Sequence, residues 1–348
     1  MWRRLAEPMG LLYGQDALDA VQCGIALPLM GGSVAFTHVR LIDKSYTSCI
    51  MQIDSVPAPW QDVLIRLTRV PYTTCLPDGP QVMGILNITP DSFSDGGLHT
   101  CIEKILTTVH NMNTAGCLLV DIGGESTRPG ATPITPKQEW ERIGPVIEIL
   151  QEKFPHMTLS VDTRHSFVMD RALTAGIHII NDISALQHDP QSLELLAEKE
   201  CGIVLMHMRG TPQTMDKHVF YTNIAYDVVR ELGDRINTAL AAGISKNRII
   251  IDPGFGFAKT PTQNIELLRR CLLMANLGYR VLFGVSRKRM IGAMTRESQA
   301  TSRDIGTHIA TLSAMPMGAP ILRVHDVPGM VQSIRVWQNL YGSSISTY

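Results

Sequence analysis

DIGGESTRPG, residues 121–130, follows the apolar run Cys117-Leu118-Leu119-Val120 and gives three of its ten positions to glycine. It also sets Asp121, Glu125, Thr127 and Arg128 close together. A buried strand ending in a Gly-rich, Arg-bearing loop is the unit from which an α/β barrel builds its mouth. Outward from this stretch the same unit recurs. Apolar, β-rich runs occur at 82–86, 117–121, 157–162, 177–181, 202–206, 248–252, 279–285 and 319–324. Segments with helical apolar spacing lie at 101–114, 136–153, 165–175, 190–200, 221–242, 262–275, 302–315 and 328–340. Thr135 before Pro136, with Gln138 behind it, reads as a helix start, as does Asp189 before Pro190. Eight strand–helix pairs with short connections predict an α/β protein, a parallel (β/α)8 TIM barrel over residues 80–348. A doubly wound open sheet uses the same units, but a closed barrel fits the count and leaves no edge strand to protect.

Residues 1–79 predict a small α+β N-terminal extension. Residues 16–26 carry Ala17, Ala20, Val21 and Gly24 on one helical face, with Asp16 as N-cap. Alternation at 33–42 and 49–56 reads as strands, and 62–70 as a third. Pro71 and Leu76-Pro77-Asp78-Gly79-Pro80 close the extension. Nothing in it looks catalytic, and a docking or capping segment is the reading it supports.

The chain of 348 residues suits one barrel of about 250 residues plus that appendage. With 31 basic and 32 acidic residues the formal net charge is −1, so no field of one sign is available for a nucleic-acid backbone or an anionic membrane. Any anion must be held locally, by a few placed groups. The seven cysteines form no CxxC, and several lie in apolar runs, as expected of a reduced, cytoplasmic protein. No apolar run approaches the ~20 residues of a membrane span.

In a parallel barrel the residues just after each strand converge on one mouth, whatever their separation in sequence. They are NITPDSFSDGG (87–97), Asp121 with ESTRPG, Asp162-Thr163, Asn181-Asp182, Met206-His207-Met208-Arg209, DPGFGFAK (252–259), GVSRKR (284–289) and RVHD (323–326). Asp162, Asn181 and Asp252 offer acceptors and an amide that suit a flat heterocycle with adjacent ring N–H and amino donors, and Lys288 can donate to the same ring. Arg323, His325 and Asn87 suit a phosphate or diphosphate, with Mg2+ held on the Asn87 oxygen. The loops 87–97 and 124–136 could close over a reacting centre and exclude water. Taken singly, each of these residues has a blander explanation as a cap or turn. As a set, they are chemically complementary. There is no GxSxG, Walker A loop, HExxH or GxGxxG, which favours a reaction that needs positioning and charge stabilisation.

Together these motifs resemble the dihydropteroate synthases of folate biosynthesis. NITPDSFSDGG, DIGGESTRPGA, SVDT (160–163), INDIS (180–184), LMHMRGTPQTM (205–215), DPGFGF, SRK (286–288) and RVHD match in order over about residues 82–340. The usual family member begins near the first barrel strand. The resemblance implies condensation of 6-hydroxymethyl-7,8-dihydropterin diphosphate with p-aminobenzoate, giving 7,8-dihydropteroate and pyrophosphate through an SN1-like pterin cation. It implies pterin binding by Asp162, Asn181, Asp252, Lys288 and Met206, and diphosphate binding by Asn87, Thr127, Arg323 and His325 with Mg2+ as cofactor. Phe93, Arg128, Pro129, Phe257 and Arg289 would form the p-aminobenzoate pocket, and Asp95, Arg128 and Lys288 the catalytic group. It further implies a homodimer with small-molecule substrates only. The chain departs from the family at Ala258, where many members have glycine, and at Arg289, where others have serine. The absence of an extra Phe-Gly near the p-aminobenzoate pocket predicts sulfonamide sensitivity. A corrinoid-type pterin methyltransferase would have no use for RVHD, SRK and STRPG, and a catalytically silent paralogue would be expected to lose Asp95, Arg128 or Lys288.

Overall fold

Short strands that are apolar along nearly their whole length need both faces covered, and here the inner face is covered by closing the sheet on itself and the outer face by helices. The computed structural model describes residues 2–46, 48–72, 76–88, 97–127 and 130–342. Eight parallel strands form the barrel: β5 (Gln81–Asn87), β6 (Leu119–Gly123), β7 (Thr158–Asp162), β8 (Ile179–Asp182), β9 (Gly202–Met206), β10 (Ile249–Asp252), β11 (Arg280–Phe283) and β12 (Ile321–Val324), with β12 pairing back to β5. The closed barrel, not the open sheet, is therefore the architecture.

Helices alternate with the strands: α3 (Gly97–Thr114), α4 (Pro136–Lys153), α5 (Ser166–Thr174), α6 (Gln191–Glu198), α7 (Ile224–Ala241), α8 (Pro261–Arg269), α9 (Arg289–Thr295), α10 (Asp304–Thr311) and α11 (Val327–Tyr341). α4 starts where the sequence says it should. Thr135 Oγ1 accepts from the Gln138 N–H while the Gln138 side chain accepts from the Thr135 N–H, a complete capping box. Thr260 and Gln263 repeat the device at α8. The expected helix 262–275 is shorter. α8 ends at Arg269 and a 3-10 segment, Cys271–Leu277, follows, in which Asn276 donates to the Leu273 carbonyl. The expected helix 302–315 likewise ends at Thr311 and continues as the 3-10 segment Leu312–Met317, which contains Pro316. α9 was not anticipated.

The extension is an antiparallel sheet, with β3 (Val34–Ile42) between β1 (Leu5–Tyr13) on one side and β2 (Leu27–Pro28) and β4 (Ser48–Gln52) on the other. Three expectations fail here. Residues 62–70 are not a strand: α2 (Gln61–Thr68) buries Val63, Leu64 and Leu67 at helical spacing and pairs Arg66 with Asp62 one turn away. The strand expected at 49–56 stops at Gln52 and turns through a 3-10 segment at Ile53–Ser55. α1 (Gly14–Gln22) begins two residues before Asp16, with Tyr13 as N-cap. β1 went unread because Pro8 and Gly10 interrupt its pattern.

This sheet packs against the 3-10 segment that leads into β11 and against the outer helices: the Tyr226 hydroxyl on α7 donates to the Arg3 carbonyl, and Tyr13 makes ring contacts with Trp337 and Tyr341 on α11. Asn276, fully buried just before β11, accepts from the Ala6 N–H and donates to the Ala6 carbonyl, both at 2.9 Å. Arg270 makes two 3.0 Å bonds to Glu7. Buried Arg280 donates to the carbonyls of Pro77, Gly79 and Ala319. Leu76 joins Met83, Leu119, Ile179, Val204, Ile250, Leu282 and Ile321 in a separate apolar cluster inside the barrel, so the connecting segment seals its floor.

Candidate functional site

Strand alternation carries the inward face from that apolar floor to the next layer. Two residues beyond Leu119, Ile179, Ile250 and Ile321 come Asp121, Asn181, Asp252 and Arg323; Ser160 sits opposite Asp121 in the β6–β7 register. A layer of charge thus rests directly on hydrocarbon. Asp121 is fully buried and accepts three bonds: Ser160 Oγ donates at 2.6 Å, Asn181 Nδ2 at 3.0 Å and Arg323 Nε at 2.7 Å. Arg323 also reaches Asp162 Oδ2 at 3.1 Å. Burial opposes the Arg323 charge, but Asp121 and Asp162 hold it protonated.

Residues quoted from distant segments therefore meet. Asp162 stands opposite Asn181 across β7–β8, Asp252 opposite Met206 across β9–β10, and Asn87 opposite Gly123 across β5–β6. Gly284 lies between Asp252 and Lys288: a Cβ placed there would be 3.7 Å from Asp252 Oδ2 and 3.9 Å from Lys288 Nζ. Lys288 donates to the Phe255 carbonyl, and its ammonium lies 4.8 Å from the Phe257 ring centroid. His325 Nδ1 is 2.8 Å from Ser286 Oγ, which also accepts from the His325 N–H. The two sets drawn from the sequence are not spatially separate, because Arg323, grouped there with His325, is engaged with the carboxylates.

Burial dominates the electrostatics. It raises Asp162 to about 7, with Arg323 opposing and Asp121, Asp182 and Asp252 adding to the rise. Asp252 is raised by burial against the pull of Lys288 and the Gly254 N–H. Burial lowers Lys288 to about 8 although Asp252 works the other way. Asp182, also raised by burial, is spent locally on the Ser184 N–H, the Ser184 hydroxyl and the Leu186 N–H, which shape the turn after β8.

Loop 124–136 is tied down at its base. Glu125 takes a two-bond grip from Arg164 at 3.0 and 3.1 Å and accepts from the Ile134 N–H at 3.3 Å, so both ends of the loop meet on one carboxylate. Arg142 donates to the Gly124 carbonyl. Behind it, Glu139 is fully buried and raised to about 8 by burial, with Thr163 Oγ1 donating to it at 3.1 Å. Thr127 is half-buried and Arg289 exposed. Phe93, Asp95, Arg128 and Pro129 lie outside the described residues.

Asp121 was read from the sequence as a strand end and not as a site residue. The sign available was an acidic residue inside an apolar run, two places beyond an inward leucine. Ser160, Ser286 and the Glu125–Arg164 pair left no local sign. Asn87 ends β5 with an exposed carboxamide, a hard oxygen donor suited to Mg2+. Among the described residues no group of three or more His, Cys, Asp or Glu is placed to hold a metal, so Mg2+ here would draw its other oxygens from substrate and water.

Comparison with known proteins agrees with this geometry. The pterin binding enzyme family matches residues 83–325, leaving the N-terminal sheet outside. The dihydropteroate synthase of Neisseria meningitidis serogroup C is 44% identical over 268 residues, covering 76% of this chain and 93% of its own length. The structure of Xanthomonas albilineans dihydropteroate synthase with 4-aminobenzoic acid superposes with a TM-score of 0.70 at 44% identity, covering 76% of this chain and 93% of that one. The same enzyme in complex with 7,8-dihydropteroate gives 0.68 at 37% identity, covering 78% and 98%. The chain, with its acidic and cationic layer at the mouth of a (β/α)8 barrel, belongs to the dihydropteroate synthase family of pterin binding enzymes.

Proposed function

We propose that this protein condenses 6-hydroxymethyl-7,8-dihydropterin diphosphate with p-aminobenzoate, releasing pyrophosphate and forming 7,8-dihydropteroate. The convergence of Asp162, Asn181, Asp252 and Lys288 beside Arg323 carries the reading. A dihydropterin presents ring N–H and amino donors to the carboxylates, and Lys288 donates to its carbonyl or ring nitrogen, with Met206 against the ring face. Asn87, Thr127, Arg323 and His325 take the diphosphate. Mg2+ on Asn87, when bound, would neutralise charge on that leaving group. Phe257, Arg289, Phe93, Arg128 and Pro129 receive p-aminobenzoate.

Cleavage of the C–O bond to a charge-stabilised leaving group needs no strong base. The electron pair leaves with pyrophosphate, and the cation left on the pterin is delocalised and stabilised by Asp95. Closed loops keep water away until the aromatic amine attacks, and its proton goes to solvent or phosphate oxygen. In this reading the protein works in the cytoplasm as a homodimer. The dimer draws support from an exposed apolar stripe, Ile305 and Ile309 on α10 with Val336 and Leu340 on α11, each pair four residues apart.

The test is pyrophosphate release, which should require the pterin diphosphate, p-aminobenzoate and Mg2+ together. Release with the pterin alone, at the same rate, would reduce the activity to hydrolysis. A sulfonamide should inhibit competitively with p-aminobenzoate; turnover unaffected by saturating drug would contradict the assigned pocket.

A further inference from the structure

Between Asp252 and Phe257 the chain makes a tight turn against the residues that follow β9, and the side chain of Lys259 holds it there. Lys259 is buried, and its amine reaches the Gly254 carbonyl at 2.8 Å, the Phe257 carbonyl at 2.9 Å, His207 Nδ1 at 3.0 Å and the His207 carbonyl at 3.4 Å; burial lowers its pKa well below the usual lysine range, with Asp252 opposing. The turn cannot relax past this anchor. Gly254 has φ +67°, and a Cβ on it would overlap the His207 carbonyl oxygen. Asp252 Oδ1 accepts from the Gly254 N–H at 2.6 Å, and Lys288 donates to the Phe255 carbonyl.

His207 passes the constraint outward. Glu231 is a carboxylate and can only accept, so His207 donates from Nε2 to Glu231 Oε2 at 3.0 Å and presents Nδ1 as the acceptor to Lys259. Burial, reinforced by Lys259, holds His207 down at about 4, so it stays neutral. Burial alone would raise Glu231, but hydrogen bonds from His207 and Arg209 outweigh it and hold the carboxylate at about 2. Arg209 grips Glu231 through Nε, at 3.0 Å, and NH2, and stacks on Tyr221, whose hydroxyl donates to the Ala258 carbonyl at 3.1 Å. The chain of contacts thus runs from the turn to α7 and back to the turn.

We infer that Lys259 is a positioning residue for the condensation: through the Phe257 and Gly254 carbonyls, and backed by His207 and Glu231, it fixes the Phe257 end of the turn, while Asp252 and Lys288 keep their own bonds to the Gly254 N–H and the Phe255 carbonyl. This rests on the proposed reaction. Lys259 should then govern how p-aminobenzoate is aligned against a pterin that is already bound, since Phe257 is the wall at the far end of the turn. In full-length Lys259→Met, the KM for p-aminobenzoate should rise at least about tenfold, while the Kd for 6-hydroxymethyl-7,8-dihydropterin diphosphate changes less than about threefold, because ångström-scale misplacement costs alignment more than gripping. Glu231→Gln keeps the acceptor for His207 without the charge and should shift the same KM in the same direction by less. A lowered Tm with an unchanged KM in both variants would mean that Lys259 is merely structural, and the proposal would fall. If Lys259→Met does not fold, Glu231→Gln alone decides: a wild-type KM overturns the inference. An unmodified protein that forms no dihydropteroate would instead remove the reaction assignment itself.

Discussion

Asp121 illustrates how one buried side chain can organise a site. It accepts from Ser160, Asn181 and Arg323 at once, which uses most of the acceptor capacity that burial would otherwise make costly. Asp162, sharing only Arg323, is left with lone pairs to spare. That difference separates a structural carboxylate from one available to a ligand. It also predicts a pH profile. A pterin with two donors needs Asp162 ionised, and this is lost as pH falls through about 7; it needs Lys288 protonated, and this is lost as pH rises through about 8. The kcat/KM for the pterin diphosphate should be bell-shaped, with its maximum between these values and a limiting tenfold fall per pH unit on each side. Lys288→Arg, whose guanidinium does not deprotonate, should erase the alkaline limb whatever it does to the rate. An alkaline limb that persists in that variant would belong to another group.

Among the elements, the turn after β10 has the least latitude. Its glycines at 254 and 256 both have positive φ, and Ala258 adopts φ +49°, a left-handed conformation that costs a side-chain-bearing residue roughly 1–2 kcal/mol relative to the right-handed one. A glycine here, which the family resemblance leads one to expect, would avoid that strain, so Ala258 is held in this conformation by its neighbours. Gly254→Ala should be far worse, because the added methyl meets backbone that cannot swing away. The expected outcome is loss of pterin diphosphate binding, by calorimetric titration, in a protein whose far-UV circular dichroism stays barrel-like. Normal binding would show that the turn can be rebuilt. The Gly-Phe-Gly pattern marks this turn in the sequence, but its anchor leaves no mark there, since Lys259 looks like any lysine at a helix approach.

On the scale of the whole molecule, the N-terminal sheet and the barrel share buried polar contacts that neither could lose cheaply. Asn276 satisfies both backbone groups of Ala6, and Arg280 caps the carbonyls of Pro77 and Gly79. The segment carrying Asn276 leads into β11, beyond which stands Lys288, so the extension braces the approach to that strand. Asn276→Ala strands the Ala6 N–H and carbonyl and should cost about 2 kcal/mol, measured by chemical denaturation. Calorimetry of the full chain should show one cooperative transition, with calorimetric and van't Hoff enthalpies equal. Two resolved transitions would make the sheet an independent module.

The barrel itself was written in local pattern: apolar runs at regular spacing, Thr135 and Gln138 at a helix start, a polar residue after each strand. Such signals depend on neighbours in the chain and survive without coordinates. The extension was harder, because Val63, Leu64 and Leu67 fit a short strand as readily as a helix until a partner surface chooses. What only the closed tertiary structure decided was pairing. Which carboxylate neutralises Arg323, which imidazole meets Lys259 and which side chain plugs the floor depend on residues from about fifty to more than two hundred positions apart meeting across a barrel, and no local periodicity encodes the identity of a partner on the far wall.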